Sequence, residues 1–267
     1  MSENTAIYLN MQNKPHGAPT TRPPSLSDLR ISLSLGWRDF TAASAHAMFF
    51  AAFYVFAGLI MAAITYVTGQ TFWLILAALG FPLVGAFAAL GLYEISRRRT
   101  DGKPLVLSEL IGVCWSHRGG QLPWLAVIVV VVFLFWFFLG HMIFALFLGL
   151  SPMTNVLTSL DVFMTPNGLG MIAFGTFVGG LFSTIIFAFS VLGMPMILDR
   201  DVDFVTAMIA SMGAVKRNPM IYLLWGALVG AITLIALIPL FLGLFIAMPV
   251  LGHATWHLYK RVTDTQI

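Results

Sequence analysis

Four long stretches of this chain contain no Asp, Glu, Lys or Arg: Phe40–Tyr93, Gly119–Leu160, Val162–Leu198 and Asn218–Tyr259. Such stretches leave few folds open. The chain has 267 residues, of which 59% are hydrophobic and 9% charged. An ordinary soluble domain is about one-quarter charged, so there is too little polar surface here to cover a globule. A soluble enzyme, a secreted disulfide scaffold and a disordered chain are excluded, and a polytopic membrane protein remains.

A spanning helix needs about 20 residues, rising about 1.5 Å each across about 30 Å of hydrocarbon. The first stretch therefore holds two helices, near 46–67 and 72–95, with Thr68-Gly69-Gln70-Thr71 as the turn. The second holds one, about 122–150, ended by Ser151-Pro152-Met153-Thr154-Asn155. The third holds one, about 170–194, closed by Pro195 and Asp199. The fourth divides into 219–237 and 240–259 if the chain turns at Ile238-Pro239, or forms one long helix kinked at Pro239. That turn has almost no polar residues.

Charge arbitrates in favour of two. With six spans and an inside N-terminus, all 14 Lys and Arg residues fall in the tail through Arg38, the 96–121 and 199–218 loops and the C-terminus. The positive-inside rule then sets both termini in the cytoplasm, whereas five spans would strand Lys260 and Arg261 outside. The net charge of +3 is explained by orientation and calls for no nucleic acid. Residues 1–26, which include Pro15, Pro19, Pro23 and Pro24, read as a disordered cytoplasmic tail rather than a signal peptide, and 263–267 as a second tail.

Each expected hairpin follows a short amphipathic segment: 27–43 (Leu29, Leu33, Trp37, Phe40), 105–117 (Leu107, Ile111, Trp115) and 202–216 (Phe204, Met208, Met212, Val215). Spacings of three and four put each set on one helix face, so helices at the cytoplasmic surface are predicted, with Trp37, Trp115 and Phe204 facing inward. The fold expected for 27–262 is all-α: six transmembrane helices as three hairpins, each preceded by such a segment.

Certain motifs stand out: Gly36-Trp37-Arg38-Asp39, Gly91-Leu92-Tyr93-Glu94-Ile95-Ser96-Arg97-Arg98, Pro195-Met196-Ile197-Leu198-Asp199-Arg200 and Gly252-His253-Ala254-Thr255-Trp256-His257-Leu258-Tyr259. Together they resemble a family of bacterial integral membrane proteins, domain of unknown function 2189, over roughly residues 30–262. The resemblance implies a six-span protein of the inner membrane. It carries no activity and no site residues.

Candidate chemistry is sparse. His253 and His257 are four apart and share a helix face. With Glu94 as a third ligand from the returning second span, they would suit zinc or copper. The competing reading gives the histidines to packing and anchoring, and Glu94 to Arg97 and Arg98. Asp199, Asp201 and Asp203 alternate, but Phe204 and Ala210 stand where a calcium loop needs Gly and Glu, so a helix-capping cluster is expected. The lone Cys114 excludes an internal disulfide. No phosphate-binding, zinc-protease or nucleophile-elbow motif occurs. The expected function is a non-enzymatic accessory, scaffold or assembly component in the lipid bilayer, with a membrane-protein partner or a second copy. The alternatives are a small transporter or channel built from hairpin repeats, and a metal-binding or redox-associated protein using His253 and His257.

Overall fold

The computed structural model describes residues 14–69, 88–149 and 160–263. They are helical: α1 (Leu26–Ala42), α2 (Ser44–Thr68), α3 (88–100), α4 (Leu107–Ser116), α5 (Gln121–Leu148), α6 (Pro166–Ser190), α7 (Gly193–Asp199), α8 (Phe204–Arg217), α9 (Pro219–Leu237) and α10 (Leu244–Thr263). Local chemistry sets the ends. Ser25 and Asp28 form a reciprocal capping box at the start of α1. Gly69, at φ 62°, ends α2 in the left-handed conformation. Asp203 caps α8, and Pro219 opens α9 at a position where no N–H is needed.

Four helical stretches are long and apolar enough to cross a membrane: Ser44–Thr68, Gln121–Leu148, Pro166–Asp199 and Pro219–Leu237. The expected count of six is not reached among the described residues. The second expected span, 72–95, falls mostly on 70–87, outside them. The sixth, 240–259, becomes α10, whose inner half is buried and polar: His253, Trp256, His257 and Tyr259 all lie inside.

The chain forms two units, one made of residues up to Val127 and from Ala188 onward, the other of Ile128–Phe187. In the first, α10 is the axis. Gly36 brings α1 against it so closely that an added Cβ would lie 2.6 Å from the Val250 carbonyl oxygen and 2.8 Å from the Ala254 nitrogen. Lipid supplies no hydrophobic drive between helices, so close backbone approach and polar pairs do the holding. Phe40, Ala47, Phe50, Ala88, Leu92, Ile95 and Leu110 join α1 to α4 in one apolar cluster, and Val55, Ala236, Leu244 and Ala247 join α2, α9 and α10 in another. Between α6 and α7, the Ser211 hydroxyl enters the helical ladder, accepting from the Leu192 N–H at 3.2 Å and donating to the Ala188 carbonyl at 2.7 Å. That insertion accounts for the break at Val191-Leu192.

In the second unit, Phe147 packs over Gly170 and Trp136 over Gly179. His141 is exposed there, its Nδ1 2.8 Å from the Phe137 carbonyl of its own helix.

The three amphipathic segments are helical, as expected. Two of the three inward residues are not inward: Trp37 is 52% and Trp115 66% exposed, while Phe204 is half-buried and stacks on Trp124. The stripe α1 buries is Asp28, Leu29, Ser32, Gly36, Asp39 and Phe40. Of the expected tail 1–26, residues 14–25 are described and run as a bonded strap. Asp201 N–H donates to the Pro15 carbonyl, Gly17 N–H to the Asp201 carbonyl and Arg22 N–H to the Val262 carbonyl, each within 3.0 Å.

Candidate functional site

α1, the C-terminal half of α3 and the C-terminal half of α10 meet in a cluster of ionisable side chains packed away from solvent. Asp39 is its centre. His257 Nε2 lies 2.7 Å from Asp39 Oδ2, and Arg99 Nε donates to Oδ1 at 2.9 Å. Burial by itself raises the Asp39 pKa, but the hydrogen bonds from His257 and Arg99 outweigh it and bring it down to about 2. One turn away His253 is wholly buried, its Nδ1 placed between the Ser96 hydroxyl at 2.8 Å and the Leu92 carbonyl at 3.0 Å. Its Nε2 has no hydrogen-bond partner among the described residues.

Glu94 has its own partners. Arg98 Nε donates to Oε1 at 2.8 Å, and Arg97 Nη2 lies 2.8 Å from Oε2 without hydrogen-bond alignment, so that contact is electrostatic. Arg98 also binds Glu109 and the Pro104 carbonyl, tying α3 to α4. Asp28 receives both Nη groups of Arg22 at 2.8 Å and Arg261 Nε at 2.9 Å. These bonds, the Arg22 pair foremost, hold its carboxyl far below the ordinary range. Asp199 accepts from the Tyr259 hydroxyl at 2.8 Å and faces Lys260 at 3.5 Å.

The structure thus places Glu94, His253 and His257 in the same region and gives each a separate partner. Among the described residues no group of three or more His, Cys, Asp or Glu is placed to hold a metal ion. The alternating aspartates part company in the same way: Asp199 serves α10, Asp201 pairs with His16 at 2.9 Å and Asp203 caps α8. Burial pushes the Cys114 thiol up to about 12, which keeps it protonated.

Local spacing did not single out Asp28, Asp39, Ser96 or Arg99. One signal was available: Asp28 and Asp39 are eleven residues apart, three helical turns, and so share one face of α1. An acid on a buried face needs a cation, and Arg22, Arg99, Arg261 and His257 answer.

A chain with four such apolar helices, and with most of its buried charges gathered in paired clusters, is an integral membrane protein. Residues 74–199 match the family described as "Predicted integral membrane protein (DUF2189)", the family its motifs resemble. The match contains Glu94, Ser96, Arg99 and Asp199; Asp39, His253 and His257 lie outside it. No curated protein and no solved structure matches the chain.

Proposed function

We propose that this protein is a non-enzymatic accessory or scaffold component of the bacterial cytoplasmic membrane, with both termini in the cytoplasm. The carrying observation is the closure of the inner cluster: Asp28, Asp39, Glu94 and Asp199 each engage cationic groups of their own. A catalytic or transport centre keeps ionisable groups available for substrate, whereas here the four buried or half-buried carboxylates are taken up by cations, and His253 Nε2 is the buried histidine nitrogen of the cluster that lacks a bond among the described residues. Segregation of the basic residues supports the orientation.

Purified full-length protein reconstituted in liposomes with a trapped pH dye and an imposed pH gradient tests the reading. The gradient is expected to decay as in protein-free liposomes. Faster decay that disappears in His257→Gln would replace the reading with proton-coupled transport.

A further inference from the structure

The link between α9 and α10 is Ile238-Pro239-Leu240-Phe241-Leu242-Gly243, a turn without one hydrogen-bonding side chain. Ile238 is 78%, Leu240 69% and Leu242 53% exposed. We propose that α9 and α10 do not cross the membrane: they form a re-entrant hairpin that enters from the cytoplasmic side and turns back near the bilayer midplane, its tip among lipid acyl chains.

The backbone of the tip is built for a place without water. The N–H groups of Ile238, Leu240, Phe241, Leu242, Leu244 and Phe245 donate to carbonyls between Ile235 and Leu242, Pro239 has no N–H to satisfy, and the Gly243 N–H is the one in the link without such a bond among the described residues. Hydrocarbon requires such internal pairing; an aqueous loop does not. Closing the turn this tightly puts Leu240 at φ 49° and Phe241 at φ 66°. Gly or Asn ordinarily takes that conformation in water, but Asn would bring an amide into lipid. By contrast, the Thr68-Gly69-Gln70-Thr71 segment after α2 is polar.

Depth comes from the neighbours. The Phe241 ring packs on Gly58 of α2, 3.0 Å from where a Cβ would stand. From Gly58, α2 continues ten residues to Thr68, about 15 Å at 1.5 Å per residue. Ile60, Tyr66 and Val67 on that extension are exposed. Toward the cytoplasm, a groove of about 520 Å³ between α9 and α10 runs from the tip down to Val250, Leu251 and exposed Trp37. Beside Trp37, Arg30 and Arg38 are exposed and make no side-chain ion pair or hydrogen bond among the described residues, a pattern suited to lipid headgroups. Leu251 is eight residues from Gly243, about 12 Å. The two distances together come to about 27 Å, one hydrocarbon thickness, with the tip near its middle. α9, 19 residues or about 28 Å at 1.5 Å each, is longer than half that thickness, so on this reading its first turns after Lys216 and Arg217 lie below the hydrocarbon. Below Leu251, α10 enters the ion-paired cluster, which also belongs outside hydrocarbon.

The test uses the full-length chain carrying Cys114→Ala and one new cysteine: Leu240→Cys or Leu242→Cys at the tip, Thr68→Cys at the outer end of α2, or Thr41→Cys on α1. A charged, impermeant maleimide is applied to spheroplasts and to inverted vesicles. Thr68→Cys is expected to react from outside and Thr41→Cys from inside. Both tip variants are expected to react from neither side and fully in SDS, and a nitroxide at either is expected to be more accessible to oxygen than to a nickel chelate. Tip labelling from outside at the Thr68→Cys rate would establish two full crossings and overturn the proposal. So would tip labelling from inside, or nickel access exceeding oxygen access. The two tip variants check each other against a folding defect, and the outcome does not depend on whether the protein transports anything.

Discussion

Replacing Asp39 by Asn removes a charge from the centre of the inner cluster while keeping its shape. Asp39 is 2% exposed, and its carboxyl is held at about 2 against an ordinary value of 3.8. At about 1.4 kcal/mol per pKa unit, preference for the charged over the neutral acid comes to about 2–3 kcal/mol. Asn resembles the neutral acid, so it forfeits that amount and turns an amide N–H₂ toward Arg99 or His257. A chain of this size loses about 2–4 °C of melting temperature per kcal/mol, which gives a drop of roughly 4–12 °C. Asp39→Ala strands both cations and costs more, about 3–5 kcal/mol. The sign of the pH dependence follows from the depressed value: Asp39 stabilises fully above pH 3.8, and its contribution drains away toward about pH 2. Circular-dichroism melts in mild detergent at one scan rate, at neutral pH and along an acid series, measure both effects. The reasoning fails if Asp39→Asn melts with the wild type, or if the two lose equal stability across the acid window.

Gly36→Ala places a methyl 2.6 Å from the Val250 carbonyl oxygen, where neither backbone can yield locally, so α1 and α10 must separate at a cost of about 1–3 kcal/mol. The same melts check this, and a variant as stable as wild type would show that the two helices do not approach so closely. Lys14 is brought down from 10.5 to about 8, chiefly by burial and then by the Arg97 charge. The folded chain therefore binds fewer protons than the unfolded one between those values, and stability should rise with pH across the window. Lys14→Met should abolish that rise; an equal slope in both proteins would place the lysine in solvent.

The helical character of α1, α4 and α8 was legible because apolar residues recur at three and four. Their orientation was less so. Leu29, Leu33, Trp37 and Phe40 pick out a face of α1, yet the face actually buried carries Asp28, Ser32, Gly36 and Asp39 beside Leu29 and Phe40. Trp37 belongs outside because an indole is at home at a lipid headgroup boundary. The aspartates belong inside because their partners arrive from 60 to 233 residues away, at Arg99, His257 and Arg261. Local periodicity has no access to such pairs. For Glu94 the nearby Arg97 and Arg98 were already the simpler partners in the sequence, and Arg98 is the one that donates to it; the partners of His253 and His257, Ser96 and Asp39, lie 157 and 218 residues away and left no local signal.

The number of crossings was hidden for a different reason. The distribution of Lys and Arg constrains where segments end, not how deep they go. A hairpin that spans the bilayer and one that turns at its midplane leave Lys216, Arg217, Lys260 and Arg261 on the same side. The charge count is satisfied equally by six crossings and by a re-entrant last hairpin after an even number of crossings, of which Ser44–Thr68, Gln121–Leu148 and Pro166–Asp199 lie among the described residues. Depth is written instead in the turn: six residues without a polar side chain, two of them non-glycine residues in the left-handed region, with the N–H groups of Ile238, Leu240, Phe241 and Leu242 bonded to carbonyls of the turn and of the end of α9. In water that sequence would expose Ile238, Leu240 and Leu242 and accept backbone strain for no return. In hydrocarbon the exposure costs nothing, and the strain replaces the larger penalty of a polar turn residue. If the hairpin is re-entrant as proposed, one leaflet holds two helices that the other lacks, and the protein takes up more area in that leaflet.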